Sequence, residues 1–205
     1  MDSYLTFSIT VFAGFFAIMN PIGGIPVFLS LVQGAGKTEK KKIAKRATRI
    51  AFIIGLAFII LGTYIFSFFG ITLPAFKITG GIILFYTGFE MLQSKKSGVK
   101  HLRDVNIDEN LAVSPLAIPL LAGPGTIVTA MNFVSNANFT RIGIVILIFA
   151  LICYLNYLAF KLSDYLTEKI GDNVITVFGK IMGLIIAIIG TTMILEGIKV
   201  SFDMG

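Results

Sequence analysis

Polar chemistry is scarce in this chain. Only 14% of its 205 residues are charged, and it has one cysteine and one histidine. Cys153 stands alone inside an apolar run and can form no internal disulfide. His101 stands alone in a polar stretch, which argues against a histidine-based metal site or nucleophilic triad. No paired acidic residues and no His/Cys cluster fall within an apolar run, so a membrane enzyme is not expected, nor is a cofactor. A phosphate-binding loop of the form G-x-x-x-x-G-K-[ST] is also missing, so direct use of ATP is not expected. The N-terminus lacks the marks of a cleaved signal peptide. Asp2 stands where a basic region belongs, and no A-x-A site closes the first apolar run.

What the chain has instead is length in apolar runs. Hydrophobic residues make up 56% of it and its mean hydropathy is +0.89, whereas a soluble domain carries about 25% charged residues. The runs are roughly 20 residues long, enough to cross a hydrocarbon core about 30 Å thick. An all-α membrane protein follows, with the lipid bilayer as its surroundings. The net charge of +6 is not a nucleic-acid signal, because the basic residues sit in connections between runs, where the positive-inside rule accounts for them.

Six apolar segments can be drawn, at residues 4–32, 43–69, 73–92, 111–134, 142–162 and 174–198. The first connection holds Lys37, Lys40, Lys41, Lys42, Lys45, Arg46 and Arg49, and the third holds Lys95, Lys96, Lys100 and Arg103. The second carries no charge and the fourth only Arg141. Short loops rich in lysine and arginine stay cytoplasmic. The first and third connections are therefore expected inside, both termini outside, and the protein in the plasma membrane as a multi-pass chain.

A shift of 103 positions superimposes Pro21 on Pro124, Lys77 on Lys180 and Gly80 on Gly183, and sets K-I-T-G over K-I-M-G. Residues 1–92 and 111–205 then read as two three-helix repeats joined by a polar cytoplasmic loop, 93–110. Three spans is an odd number, so the second repeat enters from the opposite side. The expected fold is six transmembrane helices in a 3+3 inverted-topology repeat, as in many secondary transporters.

Each half contains one interrupted segment. Asn20–Pro26 reads N-P-I-G-G-I-P and Gly123–Thr126 reads G-P-G-T. Proline lacks an N–H and clashes with the preceding turn, and each glycine costs about 1 kcal/mol against alanine in a helix. The first and fourth helices are therefore expected to break at mid-membrane. Asparagine before proline is a good helix start, so a half-helix is expected to begin near Asn20 and its counterpart near Gly123 and Pro124. Helix N-termini offer unpaired N–H groups and partial positive charge. The preceding half-helices end in exposed carbonyls. Donors on one side and acceptors on the other suit a zwitterion. Gly23, Gly24 and Gly125 leave little room for a substituent, and Asn20 and Thr126 add polar groups without charge. A small neutral amino acid fits these constraints, held by Asn20, Pro21, Gly23, Gly24, Gly123, Pro124, Gly125 and Thr126. The competing reading is that Pro and Gly are simply common in membrane helices, as kinks or packing contacts. Two clusters at matching positions of two halves favour a site.

These motifs, N-P-I-G-G-I-P-V-F-L-S-L and P-L-L-A-G-P-G-T-I, resemble the signatures of the MarC family, also called the SnatA or UPF0056 family of integral membrane proteins. The resemblance covers the whole chain. It implies a transporter of small neutral amino acids such as glycine and alanine, and favours protons over sodium as the coupling ion. A channel for water or a small neutral solute is the alternative, since facing half-helices can line a pore.

Four charged residues lie close to span ends. Glu90 and Glu196 are candidates for carrying a coupled proton, although an interfacial or salt-bridged carboxylate is the commoner case. Lys77 and Lys180 start their helices at matching depths and fit the snorkelling of lysine to an interface. Gly80, Gly81, Gly179 and Gly183 are expected to let the third and sixth spans pack against the broken ones, with dimerisation as the rival reading. Asn156 is expected to bridge helices.

Overall fold

The computed structural model describes residues 2–32, 34–93, 116–135 and 137–202. The polar connection with Lys95, Lys96, Lys100 and Arg103, and the first residues of the fourth segment, lie outside them. Among the described residues every regular element is a helix: α1 (Asp2–Met19), α2 (Ile25–Leu31), α3 (Lys37–Phe69), α4 (Leu73–Gln93), a π-helical turn (Leu116–Leu121), α5 (Pro124–Val134), α6 (Phe139–Lys161), α7 (Ser163–Ile170) and α8 (Asp172–Ser201).

Helix therefore forms at all six expected places. Three of these helices, α4, α6 and α8, contain stretches long and apolar enough to cross a membrane unaided, while α1 and α5 contain shorter apolar stretches. The cause is local. α1 and α5 are cut by the prolines, and the first four turns of α3 carry the basic residues of the first connection. The cut in the first segment is also off centre. α1 has 18 residues and α2 has 7, about 27 Å and 10 Å at 1.5 Å per residue, so the break sits nearer the basic end than midway.

Helix ends follow from short-range chemistry. Gly70 closes α3 in the left-handed conformation (φ 64°), and the Ile71 N–H reaches back to the Phe66 carbonyl at 2.9 Å. That pattern suits glycine because no Cβ meets the carbonyl. Asn138 caps α6, its Oδ1 accepting from the Arg141 N–H at 2.9 Å.

Two packing arrangements organise the interior. In the first, α3 and α6 meet around Phe149, whose ring fills the notch over Gly55 and lies 5.1 Å from the Phe15 ring. In the second, α4 and α8 run antiparallel with their backbones in contact. A Cβ on Gly81 would stand 2.5 Å from the Gly190 carbonyl oxygen, and one on Gly190 would stand 2.5 Å from that of Gly81. Gly88 meets Gly183 in the same register, and a Cβ on Gly197 would lie 2.9 Å from the Pro74 carbonyl. The expectation for these glycines needs correcting. Gly81 and Gly183 join the third and sixth spans to each other, because antiparallel backbones this close admit no side chain between them. Gly80 does face a broken helix, at Val128 of α5.

Ion pairs show which ends share a side. Lys40 at the start of α3 bonds Asp164 of α7 at 2.8 Å, and Lys77 at the start of α4 bonds Glu196 near the end of α8 at 2.8 Å. The Arg141 guanidinium lies 5.1 Å from the Phe7 ring centroid, joining the fourth connection to the N-terminal half of α1. Large exposed apolar residues such as Phe68, Leu147 and Leu195 cover the outside, as a lipid-facing surface requires.

Candidate functional site: the two helix breaks

α1 ends at Asn20, whose N–H still donates to the Phe16 carbonyl at 3.0 Å. Pro21 then disfavours the helical conformation for the residue before it. Asn20 turns to φ 39°, the one non-glycine residue at positive φ among those described, a region asparagine tolerates better than most. Its Oδ1 accepts from the Gly23 N–H at 3.0 Å. This is the capping bond expected of Asn20, yet regular helix begins only at Ile25, with Gly24 as the cap and Pro26 in the first turn. Pro26 has no N–H to return to Ile22, so the Ile22 carbonyl is taken by Ile25 at 3.1 Å in a tighter turn. A Cβ on Gly23 would collide with the Asn20 amide, and one on Gly24 would stand 3.2 Å from the Phe160 ring. A side chain at 23 therefore has to displace that amide.

The second break is built differently. The π-helical turn ends with the Ala122 N–H bonded to the Ala117 carbonyl at 2.8 Å. The chain then extends at Gly123 (ψ 173°), and α5 starts at Pro124 without a side-chain cap. Thr126 sends its hydroxyl back across the break to the Leu121 carbonyl at 2.7 Å. Its oxygen is thereby committed as a donor to the main chain. Gly123, Gly125 and Thr126 are buried.

α1 and α5 lie antiparallel, and their contacts set the register. A Cβ on Gly125 would meet Ile18, and one on Gly14 would meet Phe133 and, less closely, Thr129. Ile18, two residues before Asn20, thus packs on Gly125, two residues after Gly123, and this contact links the two breaks, 103 positions apart in sequence. α8 approaches the same place, since a Cβ on Gly179 would lie 3.9 Å from the Gly23 Cα.

Two buried amide atoms, Asn20 Nδ2 in the first break and Asn156 Oδ1 on α6, have no hydrogen-bond partner among the described residues. Asn20 is 5% exposed and Asn156 fully buried. Asn156 does not bridge helices as expected; its Nδ2 donates within α6, to the Ile152 carbonyl at 3.0 Å. One turn further along α6, Phe160 stacks on Phe28 of α2 with centroids 4.7 Å apart. A buried polar atom left unpaired costs about 1–3 kcal/mol, so an orphan donor and an orphan acceptor each call for a partner. Asn156 was visible in the sequence as a polar residue in an apolar run. Phe160 carried no signal at all.

Chain-wide comparison supplies the family. The model of the MarC family of integral membrane proteins matches residues 5–202. The chain belongs to the MarC family. It is 40% identical to a UPF0056 membrane protein of Pyrococcus horikoshii, over the whole of both chains. A second UPF0056 membrane protein, YvbG of Bacillus subtilis, is 36% identical over 97% of each chain. A third, from Aquifex aeolicus, is 34% identical over 97% of this chain and 95% of its own. No solved structure matches the chain.

Of the remaining candidates Glu196 lies apart from the breaks, whereas Lys180 directly follows Gly179. Glu196 is held by Lys77, and it stands 17 positions along α8 from Gly179, about 25 Å. Glu90 is exposed, beside the Tyr86 hydroxyl one turn before it, and Lys180 is exposed. Among the described residues no three metal-ligating side chains cluster. With Glu196 half exposed, its ion pair is worth about 0–1 kcal/mol. Glu196→Gln is expected to leave solute uptake and its response to a pH gradient close to wild type. Loss of that response in proteoliposomes would move Glu196 into the coupling machinery.

Proposed function

We propose that the protein is a secondary transporter of small neutral amino acids, glycine and alanine above all, working by alternating access around the two helix breaks. The observation that carries this reading is the contact of Ile18, beside the first break, with Gly125 in the second, together with the buried amide atoms Asn20 Nδ2 and Asn156 Oδ1, which lack a partner among the described residues. The substrate carboxylate accepts from Asn20 Nδ2 and from the uncapped N–H groups of Gly125 and Thr126 at the positive end of α5. The substrate ammonium donates to Asn156 Oδ1. Ile18 and Leu84 against Gly125, and Phe160 against Gly24, limit the substituent to a hydrogen or a methyl group. Pro21, Gly23 and Pro124 act through the backbone, by forcing the breaks open.

On this reading the chain spans the plasma membrane six times as a 3+3 inverted repeat, a topology supported by the antiparallel pairing of α1 with α5 and of α4 with α8. The basic start of α3 faces the cytoplasm with α7, and both termini face outward. A proton gradient drives uphill movement, with Glu90, beside the Tyr86 hydroxyl, as the carboxylate that carries the proton and sodium as the alternative ion.

The test is counterflow of labelled glycine and alanine in proteoliposomes, with and without pH and sodium gradients. Saturable exchange, stimulated by substrate on the opposite side and not inhibited by leucine or phenylalanine, is the expected result. Flux that rises linearly with concentration and shows no exchange identifies a channel for water or a small neutral solute instead.

A further inference from the structure

The α3–α6 surface at the basic end carries a second feature, away from the breaks. A groove of about 610 Å³ runs between the two helices. Lys45 and Arg49 stand at its mouth, one turn apart on α3, with Phe52 and Ile53 a turn deeper on the same face, and Ala150 and Tyr154 of α6 form the opposite wall. A second hollow of about 450 Å³ adjoins it, shares Lys45, Arg49 and Ile53, and adds Lys42 and Arg46. Among the described residues, the ion pairs take up Lys40 and Lys77, and neither Lys45 nor Arg49 has a carboxylate partner. From Lys45 to Ile53 is about 12 Å along the helix, so a cationic mouth leads directly onto an apolar floor.

We propose that this groove is a binding site for an anionic phospholipid, its phosphate held by Lys45 and Arg49 and one acyl chain lying against Phe52, Ile53 and Ala150. The chemistry is complementary at both ends. A membrane-facing apolar groove is filled by hydrocarbon rather than water, and Lys45 and Arg49 above it, without a carboxylate partner among the described residues, select a headgroup with net negative charge. A zwitterionic headgroup brings its own ammonium towards Lys45 and Arg49 and is disfavoured. This site is independent of the transport reading, since Lys45, Arg49, Phe52, Ile53 and Ala150 form no part of the proposed substrate site.

Native mass spectrometry of the detergent-purified full-length protein tests it, with dioleoylphosphatidylglycerol compared against dioleoylphosphatidylcholine. The glycerol lipid is expected to bind at least about ten-fold more tightly. In Lys45→Gln/Arg49→Gln its affinity is expected to fall about 30-fold, at roughly five-fold per basic residue near the surface, while Lys45→Arg retains it. Lys37→Gln/Lys41→Gln removes two exposed charges outside the groove and leaves binding unchanged. Ala150→Trp fills the apolar wall and weakens both lipids. Equal affinity for the two lipids overturns the proposal. So does an equal loss in the Lys37/Lys41 variant, which marks diffuse attraction, or displacement of the lipid by millimolar inorganic phosphate, which marks a headgroup contact without a chain site. A dimer whose interface covers the groove, detected in the same spectra, overturns it as well.

Discussion

Asn20→Asp is expected to lower glycine and alanine uptake at least about 100-fold while the protein stays folded. The substitution is nearly isosteric. It keeps an acceptor for the Gly23 N–H, now held at 3.0 Å, and keeps a side chain that tolerates φ 39°. What it removes is the buried Nδ2 donor, and it puts a carboxyl group where, on the proposed reading, a substrate carboxylate binds. A lost hydrogen bond to a charged group costs about 1.5–3 kcal/mol, and like charges about 4 Å apart repel by about 4 kcal/mol at an effective dielectric constant of 20. Each alone gives a ten-fold effect or more, so 100-fold is a lower bound. Gly23→Ala attacks the same amide indirectly, because the new Cβ takes the space Asn20 occupies, and uptake is expected to fall at least about ten-fold. Thermal unfolding of both variants in detergent checks that the fold persists. Wild-type uptake in Asn20→Asp would remove the first break from the site.

Gly81→Leu and Gly190→Leu are expected to yield no monodisperse protein. At both positions the neighbour is main chain, 2.5 Å from the would-be Cβ, and main chain cannot rotate away as a side chain does. Alanine at either site is already too large. Overpacking costs about 1–3 kcal/mol at an ordinary core position, and the upper end applies where helices must separate along their length. For a chain of this size that corresponds to a melting temperature roughly 6–12 °C lower in Gly81→Ala. Gly36→Ala and Gly143→Ala are the controls, since a Cβ at either meets nothing within 4 Å. If Gly81→Ala melts with the controls, α4 and α8 are not in backbone contact.

The contrast between those glycines and the prolines shows what a reader of the sequence can recover. Pro21 and Pro124 act on their own residue and its neighbours, so the breaks in the first and fourth segments were legible. Gly81 and Gly88 on α4, and Gly183, Gly190 and Gly197 on α8, recur every seven residues. That spacing was available as a sign that two helices meet along one stripe. It does not say which helix is the partner, and the adjacent pair Gly80–Gly81 shows why. The first faces α5 and the second faces α8, a difference of about 100° around one helix that no local pattern resolves. Glu196 is a similar case. Its partner Lys77 lies 119 residues away, and nothing near either residue announces the other.

By itself the sequence determined the helical membrane class, the places where helix forms, the two points where it fails, and the basic charge gathered at one end. All of these rest on hydropathy and on backbone geometry within a turn or two. Only the tertiary structure decided that Ile18 beside the first break packs on Gly125 in the second, that Phe160 of α6 meets Gly24, and that α4 locks against α8. Those outcomes depend on which faces of distant helices fit together, and that is settled by the whole packed chain.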